Sequence, residues 1–352
     1  MKNILVTGGA GFIGSHISAL LLEEGYNVTI FDSFVNSSPK VIEKILTLGL
    51  KKIDFDNNKL KLVKGDLRDS KALDNLFHEE ITDKESFEGV IHLAGLKSTS
   101  KSIEDPLKYW DSNLIGTINL LKAMQNSSCN KLIFSSSATI YNLTENPPLS
   151  EQNLTSPINP YGNTKFAIEK LLKDIYESNS LNWKIASLRY FNPLGAHPSG
   201  ILGEDSNDLP NNIFPLIIKV AQREIEKFHI FGNNWPTYDG TAIRDYIHVM
   251  DVAQAHILAL NYLEDNNPQY IEMNIGTGKG TSVLELIKIF QEVNKVEIPY
   301  VFSKRRKGDN GIVYADISLA KKLLNWKPKK SLEDMCRDGW NWKLKNPNGY
   351  RL

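Results

Sequence analysis

The run Gly8-Gly9-Ala10-Gly11-Phe12-Ile13-Gly14 stands between a short apolar segment, Asn3 to Thr7, and a helical pattern that continues through Leu22. Glycines spaced as Gly8, Gly11 and Gly14 allow a tight strand-to-helix turn and close helix packing. They also leave helix N–H groups open to a pyrophosphate. A second apolar run, Asn27 to Phe31, follows and ends in Asp32. An acid there can accept both ribose hydroxyls of NAD and would repel the extra phosphate of NADP. Strand, glycine turn, helix, strand and acid in this order predict the first half of a Rossmann-type unit.

The pattern continues in alternation. A helix is predicted over Lys40 to Leu50, a third strand over Leu60 to Lys64, a fourth over Gly89 to Gly95 and a fifth over Lys131 to Phe134. A long helical stretch from Pro106 to Met124 carries Asn113, and Lys184 to Leu188 reads as a sixth strand. Strands alternating with helices give a doubly wound parallel sheet, whose ligands bind beyond the carboxyl ends of the strands. Asp66, after the third strand, is open to two readings: a hydrogen-bond acceptor for adenine, or the N-cap of the next helix. Lys97 is either a contact to the nicotinamide ribose or a surface lysine, and mid-strand His92 reads as core. The fifth strand runs into Ser135-Ser136-Ser137-Ala138-Thr139. Pro160 then starts a helix from Tyr161 to about Ser178. Tyr161 and Lys165 stand one turn apart on its face. An ammonium beside a phenol favours phenolate and pulls the tyrosine pKa down from about 10, toward a base that works near neutral pH.

Composition changes after the sixth strand. Gly195 to Asn212 is rich in Gly, Pro, Asn and Asp and reads as a loop into a second lobe. Residues 213 to 228 read as helix and Ile230 to Pro236 as loop. Arg244 and Arg306, each near loop glycines, are the candidates for a diphosphate clamp. The predicted architecture is α/β: a Rossmann-type doubly wound parallel sheet with a smaller mixed α/β substrate-binding lobe. Residues 1–190 form the NAD-binding domain, with a strand and helix from about 241–265 returning to it; 191–240 and 266–352 form the lobe. With 41 basic and 41 acidic residues, no global field points to nucleic acid or an anionic membrane. No apolar run approaches the roughly 20 residues that span a bilayer. Cys129 and Cys336 are far apart and in no metal-ligand spacing, which suits a reducing compartment. The chain also opens on Lys2-Asn3-Ile4-Leu5-Val6 with no signal-peptide layout, so a cytoplasmic protein is expected.

The glycine triplet, Asp32, the serine run, Tyr161 and Lys165 together resemble the extended short-chain dehydrogenase/reductase superfamily. The segments Ile91 to Lys97, Phe134 to Tyr141, Arg189 to Gly200 and Gly240 to Asp251 narrow this to a resemblance to the UDP-glucose 4-epimerase family, also called UDP-galactose 4-epimerase. The match runs from the first strand past Trp326, and the Arg189 to Gly200 segment is its most specific part. The resemblance implies that Tyr161 is the base at the sugar 4-hydroxyl, that Lys165 holds the nicotinamide ribose, and that Ser137 hydrogen-bonds the 4-oxygen. It implies a tightly bound NAD along Gly8, Gly11, Phe12, Ile13, Gly14, Asp32, Asp66, Leu67, Leu93, Ala94, Lys97 and Asn113. It implies UDP on Asn192, Asn212, Ile213, Arg244, Arg306 and Asp309, and a homodimer.

Three positions depart from the family pattern: Leu93 where an aromatic is common, Asn142 where glycine is, and Asn163-Thr164 where Lys-Ser is frequent. None removes a catalytic group. The implied reaction is reversible C4 epimerisation of a UDP-hexose through a transient 4-keto sugar that turns in the site, with NAD regenerated each turnover. Val313 aligns with a family position that gates sugar size, where a small residue admits UDP-N-acetylhexosamines; the alternative is a core valine without influence. A 4,6-dehydratase would need a carboxylate pair near the serine position, and Ser136 to Thr139 has none.

Overall fold

A computed structural model describes residues 2–49, 59–82, 86–142, 146–178, 181–205, 212–306 and 309–350. Leu50 at the end of a predicted helix, residues 206–211 of the predicted loop and Lys307-Gly308 lie outside the described residues. The chain begins β1 (Asn3–Thr7), α1 (Phe12–Glu23), β2 (Asn27–Asp32), α2 (Val41–Gly49), β3 (Leu60–Lys64), α3 (Ser70–Thr82) and β4 (Phe87–His92). Next come α4 (Thr99–Glu104), α5 (Pro106–Tyr109), a π-helical turn (Trp110–Ile115), α6 (Gly116–Asn126), β5 (Lys131–Ser137), α7 (Pro160–Glu177) and β6 (Lys184–Tyr190). The remainder is β7 (Asn192–Leu194), α8 (Ile213–Ala221), β8 (Phe228–Phe231), β9 (Ile243–Arg244), β10 (Tyr246–His248), α9 (Val249–Asp265) and β11 (Gln269–Ile275), then β12 (Thr281–Ser282), α10 (Val283–Asn294), β13 (Tyr300–Ser303), β14 (Ile312–Val313), α11 (Ser318–Leu324) and α12 (Leu332–Lys345).

Seven strands form one parallel sheet in the order β11-β6-β5-β4-β1-β2-β3. Alternate residues feed its two faces, as the period of a strand requires. Ile4, Val6, Ile91 and Ile133 pack with α1, α2 and α9 on one side. Leu5, Val90, Leu132 and Phe134 pack with α3, α6 and α7 on the other. Each such fully buried side chain contributes roughly 1.5–3 kcal/mol. Burial on both faces explains why these strands read as unbroken apolar runs. A third cluster, with Leu194, Phe214, Ile230, Tyr246, Ile287 and Met335, forms a separate core built on α8, β8, β10, α10 and α12. No helix among the described residues is long and apolar enough to cross a membrane.

Several boundaries differ from the expectation. The fourth strand covers Phe87–His92, so Leu93 to Gly95 form the turn beyond it. The fifth extends to Ser137 because its serines keep pairing with Leu188, Arg189 and Tyr190. The helix expected over 213–228 stops at Ala221, where Arg223 takes a left-handed backbone (φ 62). Phe228–Phe231 is instead a strand, paired with Tyr300–Ser303 far along the chain. The boundary expected at residue 266 is overturned, since β11 adds an edge to the main sheet beside β6. In the 241–265 segment α9 packs on α1, while β9 and β10 pair outside the main sheet.

Candidate active site

The carboxyl ends of the parallel strands open into a cavity of about 670 Å³, within the roughly 300–1,000 Å³ usual for small-molecule sites. At one end stands the N-terminus of α1. Its N-cap, Gly11, offers no side chain to the first turn, so the leading N–H groups face the cavity. Gly8 has φ +71, and a Cβ there would come within 2.7 Å of the Ala94 nitrogen. A Cβ on Gly14 would come within 2.3 Å of the Gly8 carbonyl. The loop is therefore closed to side chains, and a pyrophosphate can approach the backbone.

Asp32 ends β2 at the same place. Its carboxylate accepts the N–H of Ala10 at 3.0 Å, the N–H of Phe34 at 2.9 Å and the Ser37 hydroxyl at 2.9 Å. These bonds fix an anion on the cavity wall where a ribose diol can meet it. Phe12, Ile13, Asp66, Leu67, Leu93, Ala94 and Lys97 line the same end. Asp66 is not the helix cap. Asp69 takes that part through the Ala72 N–H at 3.1 Å, and Asp66 is clasped by Arg68, Nη2 to Oδ2 at 2.7 Å. Lys97 pairs with Glu204 across the cavity at 3.0 Å. His92 is core: its ring nitrogens meet the Thr7 and Thr117 hydroxyls at 2.7 and 2.8 Å, and burial pulls its pKa down to about 3.

The middle wall carries Tyr161, Lys165 and Ser137. Asn159 caps α7 by accepting the Gly162 N–H at 2.9 Å, and Pro160 occupies the first turn where its missing N–H costs nothing. A Cβ on Gly162 would come within 2.8 Å of the Thr139 carbonyl, so glycine lets the start of α7 press on the 3₁₀ turn (Ala138–Ile140) that follows β5. Lys165 is buried, with Nζ donating to the Ser135 carbonyl at 2.6 Å and lying 4.7 Å from the Phe134 ring centre and 6.0 Å from that of Tyr161. Burial pulls its pKa down to about 8, opposed by the charge of Glu169. The half-buried Tyr161 departs from the expectation. Burial pushes its phenol up to about 12, a hydrogen bond from Ser137 acts the other way, and at this distance Lys165 does not offset the burial. Ser137 Oγ accepts from the Thr139 N–H at 3.2 Å and the Thr139 hydroxyl at 3.0 Å.

At the far end Asn192, Asn212, Ile213, Arg244, Arg306 and Asp309 line the cavity. Asn212 is the N-cap of α8 without a side-chain bond to it, so a second helix N-terminus faces inward. Arg244 Nη2 pairs with Asp309, and the Arg306 guanidinium lies 3.9 Å from the centre of the Phe231 ring.

Two expected residues stand elsewhere. Asn113 lies in the π-helical turn and does not line the cavity. Its amide binds the Leu96 N–H at 2.8 Å, the Leu96 carbonyl at 3.1 Å and the Thr164 hydroxyl at 3.1 Å, so it shapes the turn that presents Lys97. Val313 pairs with Arg244 along β14 but packs its side chain against the main core. The cavity also takes in Tyr190, Phe191 and Phe231, which sequence reasoning missed. Phe191 lies inside the most specific segment and could have been read there; Phe231 carried no local signal.

A family model described as GDP-mannose 4,6 dehydratase matches residues 5–339. UDP-glucose 4-epimerase 2 of Arabidopsis thaliana is 46% identical over 99% of this chain and 97% of its own. A UDP-glucose-4-epimerase from Stenotrophomonas maltophila, solved with bound NAD and formylated UDP-arabinopyranose, superposes with a TM-score of 0.92 at 42% identity, covering 99% of both chains. The enzyme from Bifidobacterium longum, solved in complex with NAD+ and UDP, gives a TM-score of 0.90 at 40% identity, covering 99% of this chain and 100% of that one.

Proposed function

The chain belongs to the UDP-glucose 4-epimerase family, and from that membership we propose which of its residues carry the NAD-dependent inversion at C4 of a UDP-hexose. One observation carries the assignment: Tyr161, Lys165 and Ser137 share a wall between two open helix N-termini, with Asp32 beyond one and the Arg244–Asp309 pair beyond the other. A dinucleotide fits the α1 end and a UDP-sugar the α8 end. We accordingly assign the seven-stranded sheet and its helices to NAD, and the core around Phe214 and Tyr246 to the UDP-sugar.

When bound, NAD supplies the hydride acceptor and donor for C4. Tyr161 Oη takes the proton of the 4-hydroxyl as C4 becomes a ketone, and gives it back when C4 is reduced on its other face. Ser137 Oγ holds the 4-oxygen in line with that phenol. Lys165 holds a ribose hydroxyl and keeps positive charge beside the proton transfer. Arg244 and Arg306 hold the diphosphate while the keto sugar turns, which calls for a firmly held nucleotide and a loosely held sugar. Proton and hydride both return, so the cycle needs no outside oxidant.

The family model's description favours a second reading, dehydration to a 4-keto-6-deoxy sugar. Against it, Ser136 to Thr139 carry no carboxylate. The carboxylate bonded to that stretch, Glu169 on Ser136, is closed off by Arg189. Purified protein given UDP-galactose without added NAD decides: UDP-glucose as product supports the epimerase, and a 4-keto-6-deoxy product supports the dehydratase.

The same reading includes a cytoplasmic homodimer. The apolar residues Ile103, Leu107 and Ile115, exposed at 66%, 79% and 45% on α4, α5 and the π-helical turn, are the surface we assign to the partner copy. A monomer in analytical ultracentrifugation would sink that assignment. It also includes turnover of UDP-N-acetylglucosamine, on the likeness to the UDP-Glc/GlcNAc 4-epimerase of Campylobacter jejuni at 33% identity and not on Val313, which packs on the main core. Good activity on UDP-glucose with none on the N-acetylated sugar at saturation would refute it.

A further inference from the structure

One turn beyond Lys165 on α7, Glu169 continues the line of Tyr161 and Lys165, each four residues from the last. It is 2% exposed and its carboxylate is fully engaged. Arg189 on β6 closes on it with two prongs, Nε to Oε1 at 3.0 Å and Nη2 to Oε2 at 2.7 Å. Ser136 on β5 donates its hydroxyl to Oε1 at 2.5 Å. Arg189 uses its remaining donors on the Tyr141 hydroxyl at 3.1 Å, the Glu151 carbonyl at 3.2 Å and the Glu272 carboxylate at 2.7 Å. One guanidinium therefore faces two carboxylates, which leaves negative charge behind Lys165. Buried ion pairs of this kind are weak sources of stability, because desolvation consumes most of the attraction. What the arrangement does supply is rigidity and charge at a defined place.

We propose that Glu169 is a positioning residue for the epimerisation: held by Arg189, it fixes the Ser136 end of β5, and so the aim of Ser137, and it gives the Lys165 ammonium a fixed anionic neighbour. The idea rests on the epimerase reading of the cavity. The Ser136 side chain leaves β5 on the face opposite to its neighbour, so anchoring it behind the strand turns Ser137 toward the cavity. Lys165 meets Tyr161 and Glu169 on its own helix and His92 from β4. Arg189 on β6 and Glu272 on β11 stand behind Glu169, and Tyr190 on β6 and Tyr109 on α5 face Tyr161. His92 stays neutral over the working range. The anion acting on Lys165 is thus Glu169, and it favours the charged lysine against burial.

Glu169→Gln keeps an acceptor for Ser136 and removes the charge. The expected result is a kcat lowered about tenfold with KM for UDP-galactose within about twofold, and NAD still retained through gel filtration. The alkaline limb of kcat moves to lower pH, because Lys165 then loses its proton sooner. A kcat reduced equally at all pH values, with that limb in place, is the mark of a merely structural role and overturns the proposal, as does an unchanged kcat. If this variant does not fold, Ser136→Ala decides alone, since it removes only the bond to the carboxylate. A lowered kcat at unchanged KM and melting temperature, restored by Ser136→Thr, supports the proposal; an unchanged kcat overturns it. Wild-type protein with no turnover of UDP-galactose is a different result, and refutes the epimerase reading itself.

Discussion

Lys165 donates its ammonium to the Ser135 carbonyl at 2.6 Å while its distance to the Tyr161 ring centre is 6.0 Å. The lysine is therefore tied to the strand end and acts on the tyrosine at a distance. Burial has brought its pKa from 10.5 to about 8. The unfolded chain holds that proton up to its higher pKa, so the folded state gains ground as pH rises between the two values. Below the lower value the buried charge costs about 3 kcal/mol, taking 1.36 kcal/mol per unit. Lys165→Met should lower kcat by about a hundredfold and raise the melting temperature at neutral pH. A lower melting temperature would show that the ammonium is a net stabiliser.

The Tyr161 phenol is pushed up to about 12 in the protein by itself. Near neutral pH it then holds its proton and is no base. Bound NAD+ brings a positive charge to the site, and a nearby cation favours phenolate. Stripping NAD should consequently move the Tyr161 titration toward the higher value, and reloading it should bring the titration down. Near-ultraviolet phenolate absorbance of wild type minus Tyr161→Phe reads this directly. The same apparent pKa with and without NAD would contradict it. Tyr161→Phe should retain NAD and lose activity by about 10²–10⁴-fold.

Legibility in the sequence followed how local each feature is. The strands, the glycine loop and the Tyr161–Lys165 spacing depend on neighbours within a turn or two, and the cavity gathers them as read. Glu169 gave no sign, because its meaning lies in Arg189 and Ser136, 20 and 33 residues away. Phe228–Phe231 straddles the end of the helix expected to 228 and the loop expected from Ile230, and its strand character was hidden because its partner is Tyr300–Ser303. Asn113 was read as a cofactor contact, and only the π-helical turn shows its amide given to Leu96. The pKa of Tyr161 went the other way from the expectation because spacing says nothing of desolvation.

Asp32 accepts three donors that hold its carboxylate toward the cavity. Asp32→Asn keeps the size and loses the charge. NAD retention should weaken by about tenfold or more, since hydrogen bonds to charged groups are worth about 1.5–3 kcal/mol. Discrimination against NADP should relax. Equal preference for NAD in variant and wild type, measured by competition on stripped protein, would remove Asp32 from cofactor choice.

Asp245 follows Arg244 and is fully buried. Its Oδ1 accepts the Thr277 N–H at 2.7 Å and the Thr277 hydroxyl at 2.6 Å, and its Oδ2 accepts the N–H groups of Gly278 at 3.0 Å and Ala315 at 3.1 Å. The Gly276-Thr277-Gly278 turn is thereby wrapped on a carboxylate and bound to the segment after β14. Asp245→Asn turns one oxygen into an NH₂, which at the Oδ1 place can donate to the Thr277 hydroxyl but faces the Thr277 N–H. One bond is lost and one buried N–H group is left without an acceptor, a cost of about 1–3 kcal/mol. The turn and β14 then loosen beside Arg244, whose partner Asp309 lies just before that strand. A lower melting temperature is expected, with KM for UDP-galactose raised and kcat near wild type, because Tyr161, Lys165 and Ser137 stand on other elements. An unchanged KM in the folded variant would show that the Arg244 clamp does not depend on this carboxylate.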